Sequence, residues 1–269
     1  MDLAIATARI LMTTLIIVSA VLVLTNFIFL SRYLKYRQSV KQRGLFGNWP
    51  IPPISLEQLD PIFKVDRFGP KLETMVHFLG RGDLHVPGGT SDSEAWILSV
   101  LAKRAGNIFE FGTCTGKTAY LFAKNSAEHS TVTTLTLSPE QVSEYAKGTG
   151  DDQKSIEDAV SESAFTEFLY SNTPEKTKIT QLFCDSKHFD ERPYLAKMDL
   201  IFIDGSHAYS YVLNDSEKAF KMLAPGGIIL WHDYRGPRNT KDVYKALNQL
   251  AREKTLVRIK ETSLVAYRN

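Results

Sequence analysis

Residues 108–118 read Ile-Phe-Glu-Phe-Gly-Thr-Cys-Thr-Gly-Lys-Thr, which is an apolar strand, a glycine turn and the start of a helix. A phosphate-binding P-loop needs four residues between its first glycine and the Gly-Lys-Ser/Thr triplet, but only three separate Gly112 from Gly116. A dinucleotide-binding fingerprint needs a glycine two places after the first, where Cys114 stands instead. The spacing therefore argues against both phosphate-binding loops.

On both sides of this turn the sequence alternates between strands and helices. Ser91 and Glu94 form a capping box, so a helix should begin there and end before Gly106. The other predicted helices cover residues 118–124, 210–223 and 240–253, and the strands cover 107–111, 131–137, 178–184, 198–203 and 228–231. Residues 256–259 and 263–267 predict a closing antiparallel hairpin. The pattern predicts an α/β fold with a doubly wound, mostly parallel sheet, in which ligands lie beyond the carboxyl ends of the strands.

The turn suits a ligand that carries a nucleoside and an amino-acid tail, because its glycines let such a ligand lie against the backbone. Glu110 at the strand end can meet an ammonium group directly or through water. Here the sequence resembles the class I S-adenosylmethionine-dependent methyltransferases, whose first motif is acid-x-Gly-x-x-x-Gly. The resemblance implies that Glu110, Gly112, Thr113 and Gly116 contact the cofactor. A plain glycine turn in another α/β protein is the alternative interpretation.

Two later segments extend the resemblance. Asp204-Gly-Ser-His207 follows the 198–203 strand, and Pro-Gly-Gly at 225–227 is followed by His232-Asp233-Tyr234. Their order and spacing resemble the macrocin-type O-methyltransferases over residues 85–268. The resemblance implies a Rossmann-like methyltransferase sheet and methyl transfer to a hydroxyl, with Asp204 also beside the cofactor.

One position departs from the family pattern. Methyltransferases usually carry an acidic residue at the end of the second strand, where it holds the ribose hydroxyls, and the matching residue here is Thr136. A hydrogen bond to an uncharged hydroxyl is weaker than one to a charged group, which contributes about 1.5–3 kcal/mol. Glu140 can substitute from the next turn; otherwise the cofactor binds weakly or the activity is lost or changed. After the third strand, Asp185 and Ser186 are expected beside the adenine.

The ends of the fourth and fifth strands carry the candidate catalytic groups. Asp204 and Asp233 are carboxylates at one edge of the sheet, and such oxygen donors suit Mg²⁺. His232 can complete this metal site or can be a buried, hydrogen-bonded core residue. The resemblance implies that His207 is the base that takes the acceptor proton; substrate positioning or helix capping is the alternative. Asp204 can likewise be only a turn residue before Gly205.

The N-terminal segment has a different composition. Residues 10–30 are uncharged over about 21 positions, enough to cross a hydrocarbon core of roughly 30 Å. A cleaved signal peptide has a shorter apolar region of about 7–15 residues and a small-residue cleavage site, so we expect a membrane anchor. Basic residues follow the span, with no acidic residue before Glu57: Arg32, Lys35, Arg37, Lys41 and Arg43. The positive-inside rule then places the C-terminal domain in the cytoplasm.

Composition sets the remaining limits. Of the 269 residues 43% are hydrophobic and 23% charged, and the net charge of +2 gives no argument for nucleic-acid binding. Cys114 and Cys184 are too few for a disulfide framework and are read as reduced thiols. We divide the chain into an anchor with its basic flank (1–43), a linker with preparatory helices (44–84, one helix near 71–79), and a methyltransferase domain (85–269).

The sequence thus predicts a membrane-anchored methyltransferase that uses S-adenosylmethionine, with Mg²⁺ as a possible second cofactor. Its acceptor would be a hydroxyl of a small molecule, a sugar or a lipid-linked compound. Two alternatives stay open: a membrane protein that binds S-adenosylmethionine or another ligand without catalysis, and a hydroxylase-like reaction on the same scaffold. The oligomeric state has no signal in the sequence.

Overall fold

The computed structural model describes residues 2–42, 49–82, 84 and 89–269. The chain divides between Asn48 and Trp49 into two compact units. Outside the described residues lie Met1 and Arg43 of the predicted anchor and basic flank, residues 44–48 and 83 of the predicted linker, and the first residues of the predicted methyltransferase domain (85–88). The predicted domain boundaries at 43/44 and 84/85 stay predictions.

The N-terminal unit is one helix, α1 (Asp2–Gln42). Its Arg9–Arg37 segment has 29 residues and a mean hydropathy of 2.3, and none of it is buried. The polar side chains within this segment bond to their own helix: the Thr13 and Thr25 hydroxyls donate to carbonyls one turn earlier, and so does the Asn26 amide. Such internal bonds satisfy the polar groups that hydrocarbon would leave unpaired. By length and composition α1 can cross a membrane, a property that signal sequences share.

The second unit contains the remaining elements. Its helices are α2 (Leu56–Leu59), α3 (Asp92–Ala102), α4 (Lys117–Asn125), α5 (Gln153–Glu162), α6 (Tyr209–Met222) and α7 (Lys241–Leu250). Its strands are β1 (Pro53–Ile54), β2 (Val65–Asp66), β3 (Gly69–Pro70), β4 (Asn107–Phe111), β5 (Thr131–Thr136), β6 (Ile179–Phe183), β7 (Met198–Ile203), β8 (Leu223–Trp231), β9 (Val257–Ile259) and β10 (Val265–Arg268).

Eight strands form one sheet in the order β1-β9-β10-β8-β7-β4-β5-β6. Strands β8, β7, β4, β5 and β6 are parallel, whereas β10 runs antiparallel to both β8 and β9. Strand order reverses at β4, where the chain goes first to β5 and later returns to β7. This is the predicted doubly wound, mostly parallel sheet with a C-terminal antiparallel hairpin, and its switch point lies at the carboxyl end of β4.

Helices cover both faces of the sheet, because successive residues of a strand point to opposite sides. On one face Ile108 of β4 and Phe202 of β7 pack with Phe122 of α4 and with the apolar side of α3. On the other face Phe109 and Ile201 pack with α6 and α7. Both clusters consist of buried residues, so apolar residues of the central strands are covered on both faces of the sheet.

Strand β8 differs from its prediction. It begins at Leu223 rather than at residue 228, because Leu223 already pairs with Met198. The pairing then shifts, and Leu200 faces Ile228. Pro-Gly-Gly at 225–227 therefore forms a bulge inside the strand instead of the turn before it, with Gly226 at φ +78°.

The region before α3 also differs. The helix expected near 71–79 is only a 3₁₀ turn at Leu72–Thr74. Within the described part of the predicted linker, β1 pairs in parallel with β9, and Ile51 is fully buried. Residues from Trp49 onward thus belong to the same compact unit as the sheet.

Candidate functional site

The turn after β4 is fixed by contact with the turn after β7. Gly112 has φ +98°, and a Cβ atom there would lie 2.2 Å from the backbone oxygen of Asp204. The Gly112 amide donates to Leu135 O at 2.8 Å, and the Asp204 amide donates to Phe111 O at 2.9 Å. Only glycine permits this approach, so the ends of β4, β5 and β7 come together beside an open space.

Glu110 lies beneath this turn rather than in the open space. It is 1% exposed, and the Thr134 hydroxyl donates to its Oε2 at 2.5 Å. The Thr134 hydroxyl also lies 2.7 Å from that of Thr113. Burial raises the pKa of Glu110 to about 8, although the bond from Thr134 opposes the shift. The contact of Glu110 with an ammonium group stays a prediction.

A first cavity of about 550 Å³ opens at the carboxyl ends of β4, β5 and β6. Five of the predicted cofactor residues line it: Gly112, Thr136, Asp185, Ser186 and Asp204. The other three, Glu110, Thr113 and Gly116, do not line this cavity but belong to the strand end and the turn beside it. At Gly116 a Cβ atom would lie 2.7 Å from the Tyr170 ring.

Three lining residues of this cavity carry no signal in the sequence: Tyr145, Glu162 and Tyr211. Tyr145 stacks on Tyr211 with ring centroids 4.5 Å apart. The Tyr211 hydroxyl donates to Asp185 Oδ2 at 2.6 Å, and the Lys187 amide donates to Asp185 Oδ1 at 2.8 Å. Asp185 is thus held in one orientation at the cavity wall. Tyr145 and Glu162 lie between the predicted second and third strands, in a segment where the sequence analysis singled out only Glu140.

A second cavity of about 920 Å³ shares Gly112, Cys114, Glu162 and Asp204 with the first. Its other lining residues are Arg81, Gly89, Thr113, Thr115, Lys117, Thr118, His207, His232, Asp233 and Arg235. All of the predicted catalytic and metal residues therefore lie in one space that adjoins the first cavity. Within the described residues, neither Cys114 nor Cys184 forms a disulfide.

His232 stands at the centre of a buried group of carboxylates. Its Nδ1 is 2.9 Å from Asp204 Oδ1 and 3.2 Å from Asp233 Oδ1, and its Nε2 is 3.3 Å from Glu94 Oε2. Burial opposes a charge on the ring, but the negative charges of Asp204 and Asp233 outweigh it and raise the pKa of His232 well above its usual value. Asp204, His232 and Asp233 each offer a donor atom within 4.8 Å of the others, the separation that a shared metal ion requires.

Glu94 joins this group from α3. Its Oε2 caps the helix by accepting from the Ser91 amide at 2.9 Å, and its Oε1 accepts from the Ser263 amide at 2.7 Å. Burial would raise its pKa, but the bonds from His232 and Ser91 prevail and hold the pKa below the usual range. The sequence revealed Glu94 only as a capping residue, because that role already explained the acid at this position.

Asp233 connects His232 to His207. His207 Nε2 is 3.0 Å from Asp233 Oδ2, and an Arg235 guanidinium nitrogen is 2.6 Å from Asp233 Oδ1. Burial opposes protonation of His207, but Asp233 and Asp204 raise its pKa to about 9. His232 and His207 in turn hold the pKa of Asp233 below its usual range despite burial. His207 retains 19% exposure of its side chain, so it faces the cavity.

The backbone at Asp233 is strained, since φ is +62° at a residue that is not glycine. Neighbouring residues fix this conformation: Thr240 Oγ1 donates to Asp233 O, and the Asp233 amide is 3.3 Å from Ser263 Oγ. Strain of this kind is common at functional sites, because the surrounding structure must hold it.

Comparison with known proteins gives one domain match: the methyltransferase-domain family Methyltransf_24 matches residues 109–234. An uncharacterised protein of Acanthamoeba polyphaga mimivirus is 38% identical over 53 residues, which are 20% of this chain and 24% of that protein. The chain thus spans about a quarter of the curated relative that it matches.

Solved structures also resemble this fold. The O-methyltransferase TomG from Streptomyces achromogenes, in complex with SAM, is 15% identical, with 70% of this chain and 84% of that chain covered and a TM-score of 0.47. The SAH-bound methyltransferase PaMTH1 of Podospora anserina is 14% identical over 68% and 80% of the two chains, with a TM-score of 0.49. The O-methyltransferase from Bacillus cereus, in complex with SAH, is 18% identical over 68% and 84%, with a TM-score of 0.45.

Proposed function

We propose that the chain, whose residues 109–234 match a methyltransferase-domain family, is an S-adenosylmethionine-dependent methyltransferase that methylates a hydroxyl of a small acceptor beside a membrane. One observation carries the proposal: Asp204, His207 and Asp233 meet in a cavity that shares a wall with the space beside Gly112. Cofactor and acceptor would occupy adjoining spaces, as direct transfer between them requires.

The residues around the first cavity fit the cofactor. Gly112 lines this cavity, and its lack of a side chain lets the turns after β4 and β7 meet there, since a Cβ atom would lie 2.2 Å from the Asp204 backbone oxygen. Thr136 would meet the ribose, and Asp185 and Ser186 the adenine. Glu110, Thr113 and Gly116 would support the amino-acid tail through the turn.

Bound S-adenosylmethionine supplies an electrophilic methyl group on a sulfonium sulfur. The acceptor hydroxyl would lie between that methyl and His207. The neutral form of the His207 ring, which predominates only as the pH rises through its pKa of about 9, would take the proton as the oxygen forms its bond to carbon, and the cofactor would keep the electrons of its sulfur–carbon bond. Asp233 holds the imidazole of His207 from 3.0 Å and balances the charge that the ring gains.

We also propose that the cluster at the sheet edge binds a divalent cation such as Mg²⁺. Asp204 and Asp233 are the oxygen donors, and His232 would be the third donor within 4.8 Å once its ring has released the proton that these carboxylates favour. Such an ion supplies a Lewis acid that makes a bound hydroxyl easier to deprotonate. Arg235 and Glu94 would orient the donors from outside.

Helix α1 would hold the domain at the membrane as a single span, with the domain on the cytoplasmic side. Its Arg9–Arg37 segment has the length and hydropathy for this role. Basic residues after the span, Arg32, Lys35 and Arg37 among them, favour the cytoplasmic side. A membrane position suits an acceptor that is a lipid, a lipid-linked sugar or an amphipathic metabolite.

The test uses the purified full chain in lipid nanodiscs. Titration calorimetry with S-adenosylmethionine, with and without Mg²⁺, should show saturable binding. Incubation with S-adenosylmethionine labelled in the methyl group and an extract of the expressing cells should yield a labelled product. His207→Gln should keep cofactor binding and reduce transfer at least a hundredfold, whereas His129→Gln, at an exposed position, should leave both unchanged. A folded chain that binds no S-adenosylmethionine would refute the proposal.

The second candidate function is cofactor binding without catalysis, and Thr136 favours it because an uncharged residue stands at the ribose position. In that case calorimetry would show binding, but labelled product would be absent from every extract fraction. Equal, measurable yields from His207→Gln and the unaltered chain would instead refute this candidate and the role of His207 as the base, since transfer would then occur without His207.

A further inference from the structure

Lys117 is a buried cation without a partner. Its side chain is 7% exposed, and in the part of the chain that the structure describes its Nζ has no hydrogen-bond partner. Burial lowers the pKa of this ammonium, although Asp92 opposes the shift. An unpaired buried charge is costly, so such a group is retained where a ligand of opposite charge completes it.

The backbone around Lys117 also favours an anion. Lys117 is the first residue of α4, and the capping position before it is Gly116, which has no side chain to accept from the free amides of the first turn. Those amides and the helix dipole attract negative charge. The helix therefore adds several donors to the same place as the ammonium group.

Lys117 lines the second cavity together with two arginines, Arg81 and Arg235. Two of the three acids that line this cavity are paired with cations: Asp204 with His232, and Asp233 with His207 and Arg235. Burial raises the pKa of the third, Glu162, to about 7, so its negative charge is reduced near neutral pH. The cavity thus has a proton-transfer group at His207 and an unpaired positive charge at Lys117. No residue of the described chain neutralises that charge by a hydrogen bond.

We propose that Lys117 and the first turn of α4 bind a carboxylate or phosphate group of the acceptor, so that the substrate is a hydroxylated, anionic molecule. This proposal rests on the proposed function for the identity of the ligand, but the anion site itself does not. The acceptor's charged end would lie against Lys117 and its hydroxyl would reach His207. The cofactor's own carboxylate has the same chemistry, and the experiment separates the two sources.

Thermal unfolding of the full chain in detergent, with inorganic phosphate replacing chloride at constant ionic strength, tests the anion site. Phosphate should raise the melting temperature saturably. Lys117→Met should melt higher than the unaltered chain in chloride, because a buried charge is gone, and should bind phosphate at least tenfold more weakly. Lys241→Met is the matched control, since Lys241 is also the first residue of a helix but is exposed. An unchanged phosphate response in Lys117→Met would overturn the proposal.

A second series is run with saturating S-adenosylhomocysteine. A phosphate response that persists assigns the site to the acceptor, as proposed. If S-adenosylhomocysteine abolishes the response and Lys117→Met weakens its binding tenfold, the site holds the cofactor carboxylate and the acceptor assignment is wrong. If S-adenosylhomocysteine does not bind at all, while phosphate still binds through Lys117, the proposed function fails and the anion site stands.

Discussion

At the scale of single residues, Gly112 determines whether the turns after β4 and β7 can meet. We expect Gly112→Ala to abolish cofactor binding and to lower the melting temperature by several degrees, because its Cβ would lie 2.2 Å from the Asp204 backbone oxygen. Gly150→Ala is the control for backbone strain alone: Gly150 also has positive φ (+88°) but no atom within 4 Å of an added Cβ. Calorimetry and thermal unfolding of both variants measure the difference, and equal losses would show that the close approach is unimportant.

Glu110 should make the domain sensitive to alkaline pH. Its pKa of about 8 in the folded chain exceeds the ordinary 4.5, so the folded state binds the proton more tightly than the unfolded state. The stability from this group is complete below pH 4.5 and falls as the pH rises to 8, by an amount on the order of a few kcal/mol.

Glu110→Gln should remove this dependence, because an amide does not titrate. Denaturant unfolding from pH 5 to pH 9 should show a flatter stability profile for Glu110→Gln than for the unaltered chain. The exposed Glu217 provides the control, since Glu217→Gln should retain the original slope. Parallel profiles for Glu110→Gln and the unaltered chain would contradict the prediction.

Part of the site could be predicted from the sequence, because polar residues stand where the apolar strands end. Asp204, His207, His232 and Asp233 follow apolar strands, so their convergence follows from parallel pairing alone. Glu94, Tyr145, Glu162 and Lys117 could not be found in this way. In the sequence, Glu94 is explained by its role in a helix cap, and the other three have no assigned role. Only packing between distant elements brings these residues to the site.

At the scale of elements, α3 is linked to the site through one side chain. Glu94 caps α3, approaches His232 and accepts from Ser263, so it joins three parts of the chain. We expect Glu94→Ala to destabilise the domain by about 3–5 kcal/mol, since it leaves a buried imidazolium and a buried amide without their partner. Glu217→Ala, which removes an exposed carboxylate, should change stability by less than about 0.5 kcal/mol.

Chemical denaturation measures both variants, and cofactor affinity can be followed in parallel. If Glu94→Ala were as stable as Glu217→Ala, the contacts of Glu94 with His232 and Ser263 would contribute nothing to folding.

Element types followed from the sequence more readily than element boundaries. The central strands β4 and β7 have their predicted bounds, since long apolar runs between helices leave little choice. The start of β8 was missed because Pro-Gly-Gly usually ends a strand, whereas here Leu223 pairs with Met198 before the bulge. The helix expected near 71–79 fails because tertiary contacts, not helix propensity, determine that segment; Trp96 Nε1 donates to Thr74 O.

At the scale of the whole molecule, the C-terminal strand β10 connects two parts of the sheet. Strand β10 lies between β8 and β9, and Val265 pairs with Trp231. We expect deletion of residues 264–269 to prevent folding of the domain, because β9 and β1 would lose their connection to the parallel strands. Near-ultraviolet circular dichroism, which reports the buried Trp231, should lose its signal. Deletion of Asn269 alone should leave the spectrum intact; a native spectrum after the longer deletion would refute the expectation.

Because β1 pairs with β9, this pair of strands can form only late in translation. Strand β1 emerges from the ribosome first, but its partner is made near the end of the chain. At synthesis rates of about 5–20 residues per second, β1 must wait on the order of 10 s or longer before its neighbour exists. The edge of the sheet therefore joins its first strand to its last but one, and a nascent chain that stalls before β9 carries β1 without its partner strand.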